Sequence, residues 1–206
     1  MAIDVLPLKC PTCTNPLSGF EKDQIFFCTN CPGGWDFSGE TLRQVKLSYA
    51  RAKIRPEKYQ MIFYLPFYLY SVDLDLYAED KPKDRVTQII KELKEVYVSA
   101  YRLMRESYFG ELALFYTEAK VELLEDLDSS KPERKRIGSA TRSLKETEPY
   151  LKHYPLFIID KRQDITRMEL RVRSEFDRLW AVPFFDLGKQ IQDGILGKTF
   201  SAFALD

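Results

Sequence analysis

From Met61 to Tyr77 apolar side chains recur at every second position. Ile62, Tyr64, Tyr68, Tyr70, Val72, Leu74 and Leu76 share one parity; the other opens with Phe63, Leu65, Phe67 and Leu69 and turns polar at Ser71, Asp73 and Asp75. A period of two is the strand period, so this segment predicts a strand buried on both faces where it starts and wet on one where it ends. Pro66 has no N–H to donate and marks an edge or a bulge. A period near 3.6 predicts helices elsewhere. Leu42, Val45 and Tyr49 place one over Gly39–Lys53, stopped by Pro56. Val86, Ile90, Leu93, Tyr97, Ala100, Met104 and Tyr108 place a second from Lys83 toward Leu127, opened by Pro82 and broken at Gly110. Unbroken, its ~45 residues would span on the order of 68 Å, long for a chain of this size.

The C-terminal third is less regular. A short helix is expected near Thr141–Thr147, ending before Pro149, and a short strand over Pro155–Asp160. Ile165–Phe176 fits both periods, and its alternating charges favour a strand; Leu179–Leu187 reads as extended. Tyr64-Leu65-Pro66-Phe67-Tyr68 is echoed by Ala181-Val182-Pro183-Phe184-Phe185, as expected of two equivalent strands in one sheet. The apolar tail Phe200–Asp206 is expected to dock. The fold class that follows is α+β: a small N-terminal domain over residues 1–39, then a mixed domain over 40–206 with a long central helical region and a small sheet.

The N-terminal domain is defined by chemistry. Cys10-Pro-Thr-Cys13 and Cys28-Thr-Asn-Cys31 are two Cys-x-x-Cys pairs separated by 14 residues. Each pair can wrap as a knuckle with both sulfurs facing one point, and two knuckles supply four thiolates to a tetrahedral ion. Pro16, Ser18 and Gly19 favour a turn after the first knuckle, Gln24–Phe27 reads as a strand into the second, and Gly33-Gly34 turn the chain toward Trp35 and Phe37, aromatics suited to covering the site. The stretch Lys9–Phe37 resembles the zinc-ribbon family. The resemblance implies one structural Zn2+ held by Cys10, Cys13, Cys28 and Cys31, and it implies the local fold rather than the task, since ribbons bind nucleic acids, dock proteins or simply staple a chain. Cys10-Pro-Thr-Cys13 alone also looks like a redox pair, but such a pair should open a helix after a strand, and here Asn15-Pro16 follows at once. Four thiolates leave no open position for a catalytic water.

Composition narrows the function classes. Lys plus Arg and Asp plus Glu are both 31, a formal net charge of zero, which lacks the basic excess usual in nucleic-acid-binding domains. The balance hides an asymmetry: Asp73–Asp128 carries 14 acidic and 8 basic residues, Lys131–Arg178 carries 13 basic and 8 acidic. His153 is the single histidine, which removes most hydrolase constellations. Asp73 and Asp75 share a strand face, yet no third ligand or partner acid accompanies them, and no Gly-rich phosphate loop is present. No stretch approaches the ~18 apolar residues of a membrane span, and the first residues lack a signal-peptide pattern; a cytoplasmic location is expected, where paired cysteines more often bind metal than form disulfides.

Two functions follow as expectations. The first is a non-catalytic protein-interaction or assembly module in a cytoplasmic complex, with a protein partner or a homo-oligomer. The alternative is a DNA- or RNA-binding protein, whose phosphate contacts would come from Arg43, Lys46 and Arg51 beside the ribbon and from the basic run Lys131, Arg134, Lys135 and Arg136.

Overall fold

A computed structural model describes residues 8–28, 30–31, 33–37, 42–78, 82–102, 106–126 and 137–202, with 106–111 as backbone. Two sheets organise it. The smaller has four strands in the order β1-β2-β3-β4: β1 (Leu17–Ser18), β2 (Ile25–Cys28), β3 (Gly34–Asp36) and β4 (Arg43–Val45), all antiparallel. The larger is curled and built on two long strands, β6 (Met61–Ala78) and β8 (Met168–Asp186), which pair antiparallel from Met61↔Asp186 to Ala78↔Met168. β7 (Glu95–Ser99) flanks β6; β9 (Gln190–Asp193) and then β10 (Thr199–Ser201) flank β8, and β5 (Leu47–Tyr49) joins β8 in parallel.

The alternation along β6 places its two parities on opposite faces of this sheet. On one, the Tyr68 hydroxyl donates to the Arg142 carbonyl at 2.6 Å, and the Tyr70 hydroxyl lies 2.5 Å from Thr147 Oγ1 on helix α3 (Leu144–Asp160). On the other, fully buried Phe67 meets Tyr101, Tyr116 and Phe184, with ring centroids 5.4, 5.3 and 6.5 Å away. Tyr116 belongs to helix α2 (Glu106–Glu118), which covers β7. Beyond Leu69 this second face is wet, as the alternation predicts: Asp73, Asp75 and Tyr77 meet Arg173, Arg171 and Glu169 across the ladder. A bulge between Leu69 and Tyr70, where β8 carries Asp177 as an extra residue, bends the pair at that boundary.

The echoed pentapeptides are direct neighbours. Leu65 faces Val182, Pro66 faces Ala181 and Tyr64 faces Pro183, so a local two-fold through the Leu65–Val182 pair exchanges them. The flanking strands obey the same symmetry. β7 pairs as far as Phe67↔Ser99, and Ala100 N–H then donates to the Pro66 carbonyl at 3.0 Å; β9 pairs at Phe184↔Asp193, and Gly194 N–H then donates to the Pro183 carbonyl at 2.9 Å. Two residues earlier on each strand, Gly138 N–H reaches the Tyr64 carbonyl and Ala50 N–H the Ala181 carbonyl. Each proline therefore sits in an interior strand where one neighbour leaves and another arrives, and its missing N–H falls at the gap in the ladder. Gly194 has no room for a side chain: a Cβ there would lie 2.8 Å from the Pro183 carbonyl oxygen.

The expected α+β fold with a long central helix does not hold. Among the described residues the elements are mostly strands, ten of them against three helices, and the larger sheet dominates. The span Lys83–Leu127 divides into α1 (Asp84–Glu92), β7 and α2, and α2 runs through Gly110 instead of breaking there. The helical stripe fails between Leu93 and Ala100 because Val96, Tyr97 and Val98 are buried whichever way they point, so burial in that strand shows no period of two. Residues 42–53, read as a helix, form β4, β5 and a loop: Arg43–Val45 complete the small sheet, and Leu47–Tyr49 take up β8 backbone groups. α3 continues through Pro149 and Pro155, where a helix end and a strand were expected. A capping box between Ser143 and Glu146 fixes its start, and Thr147, Leu151, Tyr154 and Ile158 keep one buried stripe past both prolines. The strand expected from Ile165 onward is β8, and of the tail, Thr199–Ser201 pairs with β9; residues 203–206 lie outside the described residues.

Candidate metal centre

The two knuckles are built alike. Cys10 N–H donates to the Asn15 carbonyl at 2.8 Å and Cys28 N–H to the Gly33 carbonyl at 3.0 Å, each closing a six-residue loop around its pair. Thr14 N–H donates back to the Cys10 carbonyl, and Thr14 holds φ at +61°, unfavourable for a β-branched residue. β1 and β2 then carry the chain from one knuckle to the other, with Leu17 paired to Cys28. Gly19 is required on the way: a Cβ there would lie 2.6 Å from the Phe26 ring.

These turns bring the four thiols together. Cys10 and Cys31 sulfurs are 3.5 Å apart, Cys13 and Cys28 3.4 Å, Cys13 and Cys31 3.7 Å, and all four lie within 4.8 Å of one another. A disulfide needs about 2.05 Å, so these are not cross-links. A tetrahedral ion with bonds of about 2.3 Å to sulfur has sulfur–sulfur edges of roughly 3.8 Å. The four residues can thus hold a metal ion, and they are the only such group of His, Cys, Asp or Glu among the described residues.

Local donors fit that role. Asn30 and Cys31 N–H groups point at the Cys28 sulfur, at 3.4 and 3.3 Å, and Asn15 Nδ2 at the Cys13 sulfur, at 3.5 Å. Hydrogen bonds from Asn15 pull the Cys13 thiol down to about 6, while the Cys28 sulfur, and then burial, push Cys31 up. Charge gathered on one sulfur raises the cost of charge on the next, and a cation among them removes that conflict. Trp35 is buried beside this knuckle, its indole nitrogen 3.7 Å from where a Cβ on Gly33 would stand. Phe37 instead packs edge-on against Phe26 at 6.1 Å and stays half exposed.

The small sheet is fused to the body. Gln24 and Ile25 N–H groups donate to the Ala140 carbonyl, Lys46 accepts from Leu179 N–H, and buried Ile25 and Val45 belong to the main apolar core.

No family model matches the chain, and neither a curated protein nor a solved structure matches it.

Among the other candidate residues, Arg43, Lys46 and Arg51 are exposed, on β4, between β4 and β5, and just after β5. They border an extended segment instead of decorating one helix. Lys131, Arg134, Lys135 and Arg136 lie outside the described residues. Asp73 and Asp75 are engaged by Arg173, whose guanidinium lies 2.5 and 3.1 Å from them and holds Asp73 below the usual carboxylate range. His153 is exposed on α3. Among the buried polar groups that went unread in the sequence, two are charged residues tied to distant segments. Asp193 accepts from the Tyr116 hydroxyl and from Ile195 and Leu196 N–H, closing the turn after β9; burial raises its pKa. Arg142 donates to the Ser99 carbonyl and hydroxyl, both at 2.9 Å. Neither position shows a local pattern along the chain, because its partners come from distant segments. None of the helices described is long and apolar enough to cross a membrane.

Proposed function

We propose that this chain is a non-catalytic interaction protein of the cytoplasm, in which one zinc ion bound by Cys10, Cys13, Cys28 and Cys31 holds a ribbon that docks a protein partner. The carrying observation is the closed four-thiol cluster on a sheet that shares the main core. Such a site favours a soft, tetrahedral ion and leaves no ligand position for substrate or water. The ribbon turns aromatic side chains outward: Phe20 is 66% exposed and Phe37 50%, with Phe26 between the segments that carry them. Exposed aromatics of this kind are enriched where proteins meet. The carboxylate pair at Asp73 and Asp75 is neutralised by Arg173, which weighs against acid–base or divalent-ion chemistry there.

The test is a tagged purification from the native host under nuclease treatment, with metal analysis. About one zinc per chain is expected, with a stoichiometric protein partner that Phe20→Ser with Phe37→Ser releases without loss of zinc. A folded metal-free chain, or a partner retained equally by the double variant, would sink the reading.

A further inference from the structure

We infer that two copies of this chain join through the outer edge of β8, strand against antiparallel strand, with a two-fold axis at Ser174. This goes beyond the protein-docking reading and uses a different surface, so either can fail alone.

The open edge follows from the ladder. Even-numbered residues of β6 turn their backbone groups away from β8: the Tyr64 and Pro66 carbonyls accept from Gly138 and Ala100, and Val72 N–H donates to the Lys94 carbonyl. The odd-numbered Ser71, Asp73, Asp75 and Tyr77 therefore bond to β8, at Glu175, Arg173, Arg171 and Glu169. That leaves Leu170, Val172, Ser174 and Phe176 with N–H and C=O groups aimed outward. After the bulge at Asp177 the outward positions become odd, and they are taken. Leu179 N–H donates to Lys46, and the Ala181 and Pro183 carbonyls accept from Ala50 and Gly194. Before the bulge, no strand among the described residues pairs with the outer side of β8.

Charge order along this edge selects a second copy of the same strand in one register. A two-fold at Ser174 sets Ser174 against itself and Val172 against the second copy's Phe176. These outward-facing pairs exchange about six main-chain hydrogen bonds. On the wet face it sets Arg173 against Glu175 and Arg171 against Asp177, so that opposite charges stand directly across from one another. Neighbouring registers do the reverse. A two-fold at Arg171, Arg173, Glu175 or Asp177 sets that charge against itself. At Val172 it opposes Arg171 to Arg173, and at Phe176 it opposes Glu175 to Asp177.

The side chains can be shared. Arg171, Arg173, Ser174, Glu175 and Asp177 are exposed, and Glu175 forms no ion pair with another described residue. Arg173 keeps its side chain 71% exposed while it holds Asp73 and Asp75, and a guanidinium has donors to spare for one more carboxylate. On the opposite face Val172 and Phe176 are half-buried, with Phe176 packed on Tyr68 and Tyr70 at 6.0 and 5.6 Å. A cross-strand Val–Phe pair would cover their outer sides. No proline or lysine stands between Leu170 and Phe176, and these are residues that commonly blunt an exposed strand.

The experiment is sedimentation velocity on the full chain as purified, across about 1 to 100 µM. The mass is expected to rise from the 24.2 kDa of one chain to that of two. Ser174→Pro removes an outward N–H, which the edge of a folded monomer tolerates, and it weakens association about tenfold or more. Glu175→Arg faces the second copy's Arg173 and does the same; far-UV circular dichroism verifies the fold of each variant, and if the proline variant fails to fold the arginine variant decides. Amide exchange read residue by residue slows at Val172, Ser174 and Phe176 as the dimer forms. A chain that stays monomeric throughout, or a dimer left intact by the folded variants, would overturn the assignment. So would a dimer broken instead by Phe20→Ser with Phe37→Ser, which places self-association on the small sheet. Protection of the three amides only when a different protein is added gives the edge to a foreign strand and equally overturns the two-fold.

Discussion

The two sheets reach order by different means. The small one has strands of two to four residues, and one face of it is spent on the body through Ile25 and Val45. Little apolar surface is left to hold its other side, and a cluster of four thiols occupies the place where a core would be. The large sheet has two strands of 18 and 19 residues and buries aromatic side chains on both faces over half their length. With an ion among the four thiols, the first would be held by coordination chemistry while the second is held by packing, so each should yield to a treatment that spares the other.

The largest effect should come from removing a thiol. Cys28→Ser is expected to abolish metal binding and melt the small sheet. Were the ion zinc, a structural site of four thiolates would be worth on the order of 10 kcal/mol in binding free energy. Hydrogen exchange should show loss of protection at Ile25–Cys28 and Gly34–Asp36 before any in β6 or β8. Simultaneous loss in both sheets would mean that they fold as one unit. Next is Phe67→Ala, which empties the place where four rings meet in the large sheet and should cost about 3–5 kcal/mol by urea unfolding, with metal content unchanged.

Alkali separates the sheets in a second way. Burial pushes the Tyr49, Tyr64 and Tyr70 phenols up to about 12, and Tyr68 and Tyr97 higher. A raised folded-state pKa means that the native state keeps its protons longer than the unfolded chain. The stability this represents is complete below pH ~10 and drains away as pH rises toward 12, by about 1–3 kcal/mol per phenol. Urea midpoints measured from pH 8 to 12 should fall steeply over the upper two units, and a flat profile would show that these hydroxyls are solvated. The smallest effect is Ser143→Ala, which removes the α3 cap and should cost about 1 kcal/mol without touching the metal.

The parts of the molecule that could be read from the chain were those whose neighbours in sequence are also their neighbours in space. The knuckles are local, so the four cysteines announced themselves by spacing. β6 has one partner pattern over most of its length, and its change from two dry faces to one is visible from Phe63 to Asp75. β7 was hidden because its burial comes from β6 and α2, which erases the alternation at Val96, Tyr97 and Val98. α3 was hidden because Pro149 and Pro155 argue locally against a helix that Leu151, Tyr154 and Ile158 support through tertiary contact.

The pairing of Leu65 with Val182 has a consequence for how the chain comes into being. Eighty-nine residues lie between the two strands that form the backbone of the large sheet. At the ~5–20 residues per second of ribosomal synthesis, β6 waits several seconds for β8 to emerge. Contacts so far apart in sequence also make closure slow once both strands exist. Through that interval an apolar strand stands with an unpaired edge, the condition in which chains aggregate. The four strands of the small sheet are synthesised before β6 leaves the ribosome, and Ile25 and Val45, which belong to the main core, are apolar surface already made when the waiting strand appears. If the four thiols take up an ion during synthesis, that early order would act on the yield of folded chain as well as on the stability of the finished one.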